Sequence, residues 1–148
     1  MIKEFAFGLA NRHYFQDADN VCDWMNIDKD TYMSLYDFDD SIKDYFSKSN
    51  TLSGFDGLVY IPDEFILDVD GRDDDDLEEA RVKAIGLSVV LEDLGIPFRL
   101  YFSGNKGFHF GIPGTAFRWK PDANLHLKVK DALKNGGIFD YADPSVTD

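Results

Sequence analysis

The chain has 148 residues, of which 44% are hydrophobic and 15% aromatic, and its formal charge is −13. That length suits a single domain with a sizeable core, while the acidity argues against a simple nucleic-acid binder, whose affinity rests on Lys and Arg at phosphates. Cys22 is the only cysteine, which excludes a disulfide framework or a cysteine-rich zinc site within the chain, and no apolar run approaches the ~18 residues that span a bilayer.

Met1 to Ala10 carries Lys3 and Glu4 around a short apolar run, so neither a signal peptide nor a membrane partner is expected, and a reducing, cytoplasmic compartment is. The charge is uneven: residues 63 to 79 are densely acidic, whereas Arg99, Lys106, Arg118, Lys120, Lys128 and Lys130 make the later part more basic.

In chain order, residues 1 to 50 read as mixed structure. Asp17 to Trp24 suggests a short helix, Thr31 to Phe38 is rich in strand formers, and Asp40 to Phe46 suggests another helix. Ser49 to Gly57 reads as a loop. Gly57 to Ile61 is a strand candidate, Pro62 to Glu64 a turn, and Phe65 to Asp70 a second strand ended by Gly71. Asp73 to Leu94 is the best helix, with Leu77, Ala80, Ala84, Leu87, Leu91 and Leu94 recurring at three and four. One acid of Asp73 to Asp76 is expected to cap it, and Gly95 to close it. Phe98 to Phe102 and Phe108 to Ile112 form a hairpin through Ser103 to Gly107. Asp122 to Lys134 is a helix stopped by Asn135-Gly136-Gly137, and the tail from Ile138 starts as a short strand. The expected class is α+β, with one small mixed sheet of four to six strands and helices packed on it.

Asp68 and Asp70 stand two apart, so on a strand they share a face, with Cα atoms roughly 6.5 Å apart. Two such carboxylates can hold a divalent cation such as Mg²⁺ or Mn²⁺, which often takes a few carboxylates plus substrate phosphates. Alone, the pair is a weak signal that fits surface residues on an edge strand better, although the strand leading to it is too apolar for a plain edge. In Ser103-Gly104-Asn105-Lys106-Gly107-Phe108-His109, glycine N–H groups can approach an anion, Lys106 adds positive charge, and His109 faces away from Phe108 and Phe110. An ordinary turn with a half-exposed histidine fits that segment too. Asp143, by itself, is an acid before a proline.

Taken together, these motifs resemble the archaeo-eukaryotic primase superfamily. Its first motif is a hydrophobic strand carrying D-x-D or D-x-E, as in Phe65-Ile-Leu-Asp68-Val-Asp70. Its second is S-x-H-like, as in Ser103-Gly-Asn-Lys-Gly-Phe-His109. Its third is an apolar residue followed by Asp, as in Ala142-Asp143-Pro-Ser-Val146. The resemblance spans roughly residues 30 to 148 and is nearest to viral or mobile-element primase–polymerases that lack a zinc module. It implies an RRM-like α+β core. Asp68, Asp70 and Asp143 would be catalytic carboxylates holding two Mg²⁺ or Mn²⁺ ions, without zinc. Ser103, Gly104, Asn105, Lys106, Gly107 and His109 would bind the triphosphate of an NTP or dNTP.

The implied partners are a single-stranded DNA template and a helicase or other replisome subunit, in the host cytoplasm if the gene is viral or plasmid-borne. Family members continue past the third motif with a basic strand, so residues 1 to 148 are expected to form one incomplete catalytic domain. Two other readings stay open: a non-catalytic module holding nucleotide or single-stranded DNA for a partner, and a metal-dependent phosphodiesterase using Asp68, Asp70 and His109.

Overall fold

The computed structural model describes residues 1–8, 10–20, 28–73, 76–104 and 106–147, with the side chains of 146 and 147 excepted. The chain forms two compact units, Met1–Tyr60 with Lys120–Leu125, and Ile61–Trp119 with His126–Asp148. It is α+β, with two antiparallel sheets and three α-helices among the described residues. The single mixed sheet expected from sequence is therefore replaced by two sheets without a parallel pair among the described strands.

The first unit is built on β1 (Ile2–Phe7). It pairs on one side with β2 (Tyr14–Asp17), and it also pairs with β3 (Thr31–Met33) and β4 (Asp37–Phe38). β5 (Val59–Tyr60) extends β4. The helix expected from Asp17 is corrected. Asp17 ends β2 and Ala18–Asn20 is a 3₁₀ turn; the remainder, residues 21 to 27, lies outside the described residues. The single strand expected over Thr31 to Phe38 is two strands. Ser34 breaks it: its N–H donates to the Glu4 carbonyl and its hydroxyl to the Tyr36 carbonyl, a local bond that competes with the ladder. Helix α1 (Ser41–Ser49) buries Ile42 against Ile2 and Phe15, with Phe38, Phe46, Leu52 and Phe55 packed around them.

The second unit holds the sheet β6 (Glu64–Asp70), β8 (Gly107–Pro113) and β7 (Arg99–Phe102), with β8 central. Glu64, expected in a turn, starts β6. Along β6, Phe65, Leu67 and Val69 are fully buried while Glu64, Ile66, Asp68 and Asp70 are partly exposed, the alternation of a sheet covered on one face. Helix α2 (Leu77–Asp93) covers that face with Ala80, Ala84, Leu87 and Leu91. Leu77 and Leu94, expected on the same stripe, are exposed at its ends.

Asp76 caps α2 by accepting from Glu79 N–H at 2.9 Å. At the other end Gly95 takes φ +66°, its N–H reaches the Glu92 carbonyl, and Ile96 N–H reaches the Leu91 carbonyl, which together make a Schellman cap. Helix α3 (Leu125–Asn135) buries Val129 and Leu133. Leu133 and Ile138 border the same cavity of about 240 Å³ as Leu67 and Leu91. The tail is not a strand: Gly137 at φ +75° turns the chain into a 3₁₀ helix, Ile138–Asp140, and a second one covers Pro144–Thr147. Burial of Ile138 and Ala142 fixes that path. Among the described residues no helix is long and apolar enough to cross a membrane.

Candidate metal and nucleotide site

The open face of the second sheet carries Asp68 and Asp70, because Leu67 and Val69 claim the covered face. The antiparallel register sets His109 opposite Asp68 and Gly107 opposite Asp70. His109 Nε2 lies 3.2 Å from Asp68 Oδ1, an ion pair when the imidazole carries its second proton. The two atoms are not aligned as a hydrogen bond, so Asp68 Oδ1 is buried without a hydrogen-bond partner. Asp70 depends on the glycine beside it. A Cβ at position 107 would stand 2.1 Å from Asp70 Oδ1 and 2.4 Å from the Val69 carbonyl, so the carboxylate occupies space that only glycine leaves open.

Asp143 arrives from 73 positions beyond Asp70 in the sequence. Its N–H donates to the Asp68 carbonyl at 2.8 Å, on the edge of β6 that β8 does not use. Its Oδ1 accepts from Ser145 N–H at 2.8 Å. Two features set this path. Ala142 is buried, and the Tyr141 ring lies directly on α2 at Gly86, where a Cβ would meet its Cε1 at 2.4 Å. A glycine inside an otherwise regular helix is the sequence signal for such an approach, since it costs about 1 kcal/mol relative to alanine.

Gly86→Ala is expected to destabilise the chain by about 1–3 kcal/mol despite the better helix former, because the ring must move. It should also weaken protection of the Asp143 amide. Urea denaturation and amide hydrogen exchange measure the two; a stabilised variant with unchanged exchange at Asp143 would remove this role for Gly86.

The Asp68 carboxyl is held above the usual carboxylate range, first by burial and then by the charges of Asp70 and Asp143, with His109 acting in the opposite direction. The charges of Asp70 and Asp143 therefore both reach Asp68, although among the described residues no group of three or more His, Cys, Asp or Glu is gathered closely enough to hold a metal by itself. An orphaned, crowded carboxylate oxygen fits a hard cation whose remaining ligands come from elsewhere, as Mg²⁺ takes one or two carboxylates plus phosphates.

In the hairpin loop one backbone amide is already paired within the turn. Ser103 N–H donates to the Gly107 carbonyl at 2.9 Å, and Gly107 N–H donates to Ser103 Oγ at 3.0 Å. The Gly107 amide is thus spent within the turn, while the Ser103 hydroxyl keeps its own proton to donate. Gly104 takes φ +86°, which a side chain would strain. Lys106 is half-buried and engaged with a neighbouring group. Asn105 lies outside the described residues. Ser103→Ala leaves the Gly107 amide without its acceptor, and a loss of about 1 kcal/mol is expected in urea denaturation; no loss would mean that water replaces the hydroxyl.

The open face includes residues that sequence reasoning did not assign to the site: Glu64, Arg99 and Tyr101. Tyr101 pairs with His109 and Arg99 with Gly111. The signal was present in the period of two along β7, once the hairpin register is drawn. Compared with known proteins, the chain matches no protein-family model, no curated protein and no solved structure.

Proposed function

We propose that this chain is a metal-dependent nucleotidyltransferase core of the archaeo-eukaryotic primase type. The observation that carries the reading is the arrival of Asp143 from the tail at the edge of β6, where its charge and that of Asp70 act on Asp68, whose Oδ1 lacks a hydrogen-bond partner beside His109. Their motif order and spacing support the same reading.

The reaction would be attack of a nucleotide 3′-hydroxyl on the α-phosphorus of an NTP or dNTP along single-stranded DNA. Asp68 and Asp70, with Asp143, would hold Mg²⁺ or Mn²⁺. The bound ions would ease deprotonation of the hydroxyl and offset charge on the leaving pyrophosphate. His109, beside Asp68, would donate an N–H to a phosphate oxygen, and Ser103 Oγ–H would donate to another. Gly107 keeps Asp70 seated. The RRM-like family core, a helicase or replisome partner and a cytoplasmic setting belong to the same proposal.

The test is nucleotide incorporation on single-stranded DNA with Mn²⁺, comparing the chain with Asp68→Ala. Products from the wild type that vanish in the variant support the reading. Products of equal yield from both would sink it.

A further inference from the structure

Tyr101 is anchored in an unusual way for a residue on an edge strand. Its hydroxyl donates to Glu64 Oε1 at 3.2 Å, although Glu64 belongs to β6, two strands away with β8 between them. Adjacent strands lie about 4.8 Å apart, so neither side chain reaches the other while standing upright from the sheet. They meet over Gly111. A Cβ at that position would stand 2.2 Å from Glu64 Oε1, and Gly111 is the register partner of Arg99 on one side and Ile66 on the other.

The Tyr101 hydroxyl therefore reaches toward the central strand, where the Glu64 carboxylate lies over Gly111, and the residue remains 41% exposed. Arg99, two residues away on the same strand, shares the open face with it. A ring held at its far end by a carboxylate loses little freedom when something stacks on it. Its neighbour across the ladder is His109, which faces Asp68.

We infer that Tyr101 is a stacking platform for a nucleobase, set on the open sheet face beside the Asp68–His109 pair. This rests on reading the carboxylates as a triphosphate site. A planar ring on an open sheet face, one residue from phosphate-binding chemistry, is what base stacking requires. Gly111 is part of the device: with a side chain there, the Glu64 carboxylate loses its seat and the tyrosine its anchor.

The experiment is calorimetric titration of the full chain and of Tyr101→Ala and Tyr101→Phe. The probes are dATP with Mn²⁺, inorganic tripolyphosphate with Mn²⁺, and a short oligo-dT without metal. The wild type should bind dATP more tightly than tripolyphosphate. Tyr101→Ala should weaken dATP about 5- to 150-fold, the span of one base–aromatic stack, and leave tripolyphosphate unchanged. Tyr101→Phe, which keeps the ring and guards against misfolding of the alanine variant, should retain most of the dATP affinity.

A loss confined to oligo-dT would support the platform and assign it to bases of the strand instead of the mononucleotide. Unchanged dATP and oligo-dT binding in Tyr101→Ala, or equal loss of dATP and tripolyphosphate, would overturn the platform alone. Failure of the wild type to bind either triphosphate would overturn the carboxylate reading, and the platform with it.

Discussion

Lys3→Ala is expected to destabilise the first unit by about 3–5 kcal/mol. The residue is only 7% exposed. Its Nζ donates to the Leu35 carbonyl at 2.7 Å and lies 3.2 Å from Asp37 Oδ1, and the Asp37 side chain is itself 14% exposed. Removing the ammonium leaves a carboxylate and a carbonyl with little water and no cation. The cost comes from that stranded charge more than from the lost pair, so the double variant Lys3→Met, Asp37→Leu should recover most of the loss. Urea denaturation of the single and double variants measures both. A loss in Lys3→Ala no larger than that of an exposed ion pair, about 0–1 kcal/mol, would show that water reaches Asp37.

The same residue explains why β1 was not legible in the sequence. A strand announces itself by alternation when one face is wet. In β1, Ile2, Lys3, Glu4, Phe5 and Ala6 are all buried, so no period of two survives. The two charges are tolerated because each is paired, Lys3 with Asp37 and Glu4 with His13 and Arg12. β6 is the opposite case: its covered face and open face alternate without a break, and the sequence places Asp68 and Asp70 on the open one. Helix α2 was equally plain, since Ala80, Ala84, Leu87 and Leu91 keep one phase and Asp76 and Gly95 supply its ends.

What sequence reasoning could not reach depends on register or on close approach. Tyr101 joins the site only because β7 pairs with β8 so that it faces His109. Gly86 and Gly111 matter through atoms they lack, Tyr141 lying over one and Glu64 over the other. The apolar start of the tail suggests a strand, but Gly137 and the burial of Ile138 and Ala142 wind it into 3₁₀ turns. That winding brings Asp143 to the edge of β6. In the hairpin loop the pairing of the Ser103 hydroxyl with the Gly107 amide likewise shows only in the folded turn.

Asp68→Asn is expected to act in opposite directions on stability and activity. The Asp68 carboxyl titrates above its ordinary value, chiefly through burial and then through Asp70 and Asp143. A carboxyl raised in this way binds its proton more tightly in the folded chain than in the unfolded one. Stability therefore falls as pH rises from the ordinary carboxylate value through the folded one, and above that window the ionised group is a standing cost. The amide removes it, so in EDTA at neutral pH the variant should melt up to a few degrees higher, a modest gain because solvent screens a half-exposed carboxylate. The gain should shrink as pH is lowered through the window.

Added Mn²⁺ should raise the wild-type melting temperature and leave the variant unmoved, because only a ligand that the fold binds stabilises it. Incorporation of nucleotide should fall about a hundredfold or more in the variant, on the scale of deleting one electrostatic contact to a transition state. An equal Mn²⁺ shift in both proteins would mean that the cation binds elsewhere on this acidic chain. A variant less stable than the wild type in EDTA would mean that His109 already compensates the charge, leaving no electrostatic demand for a metal at Asp68.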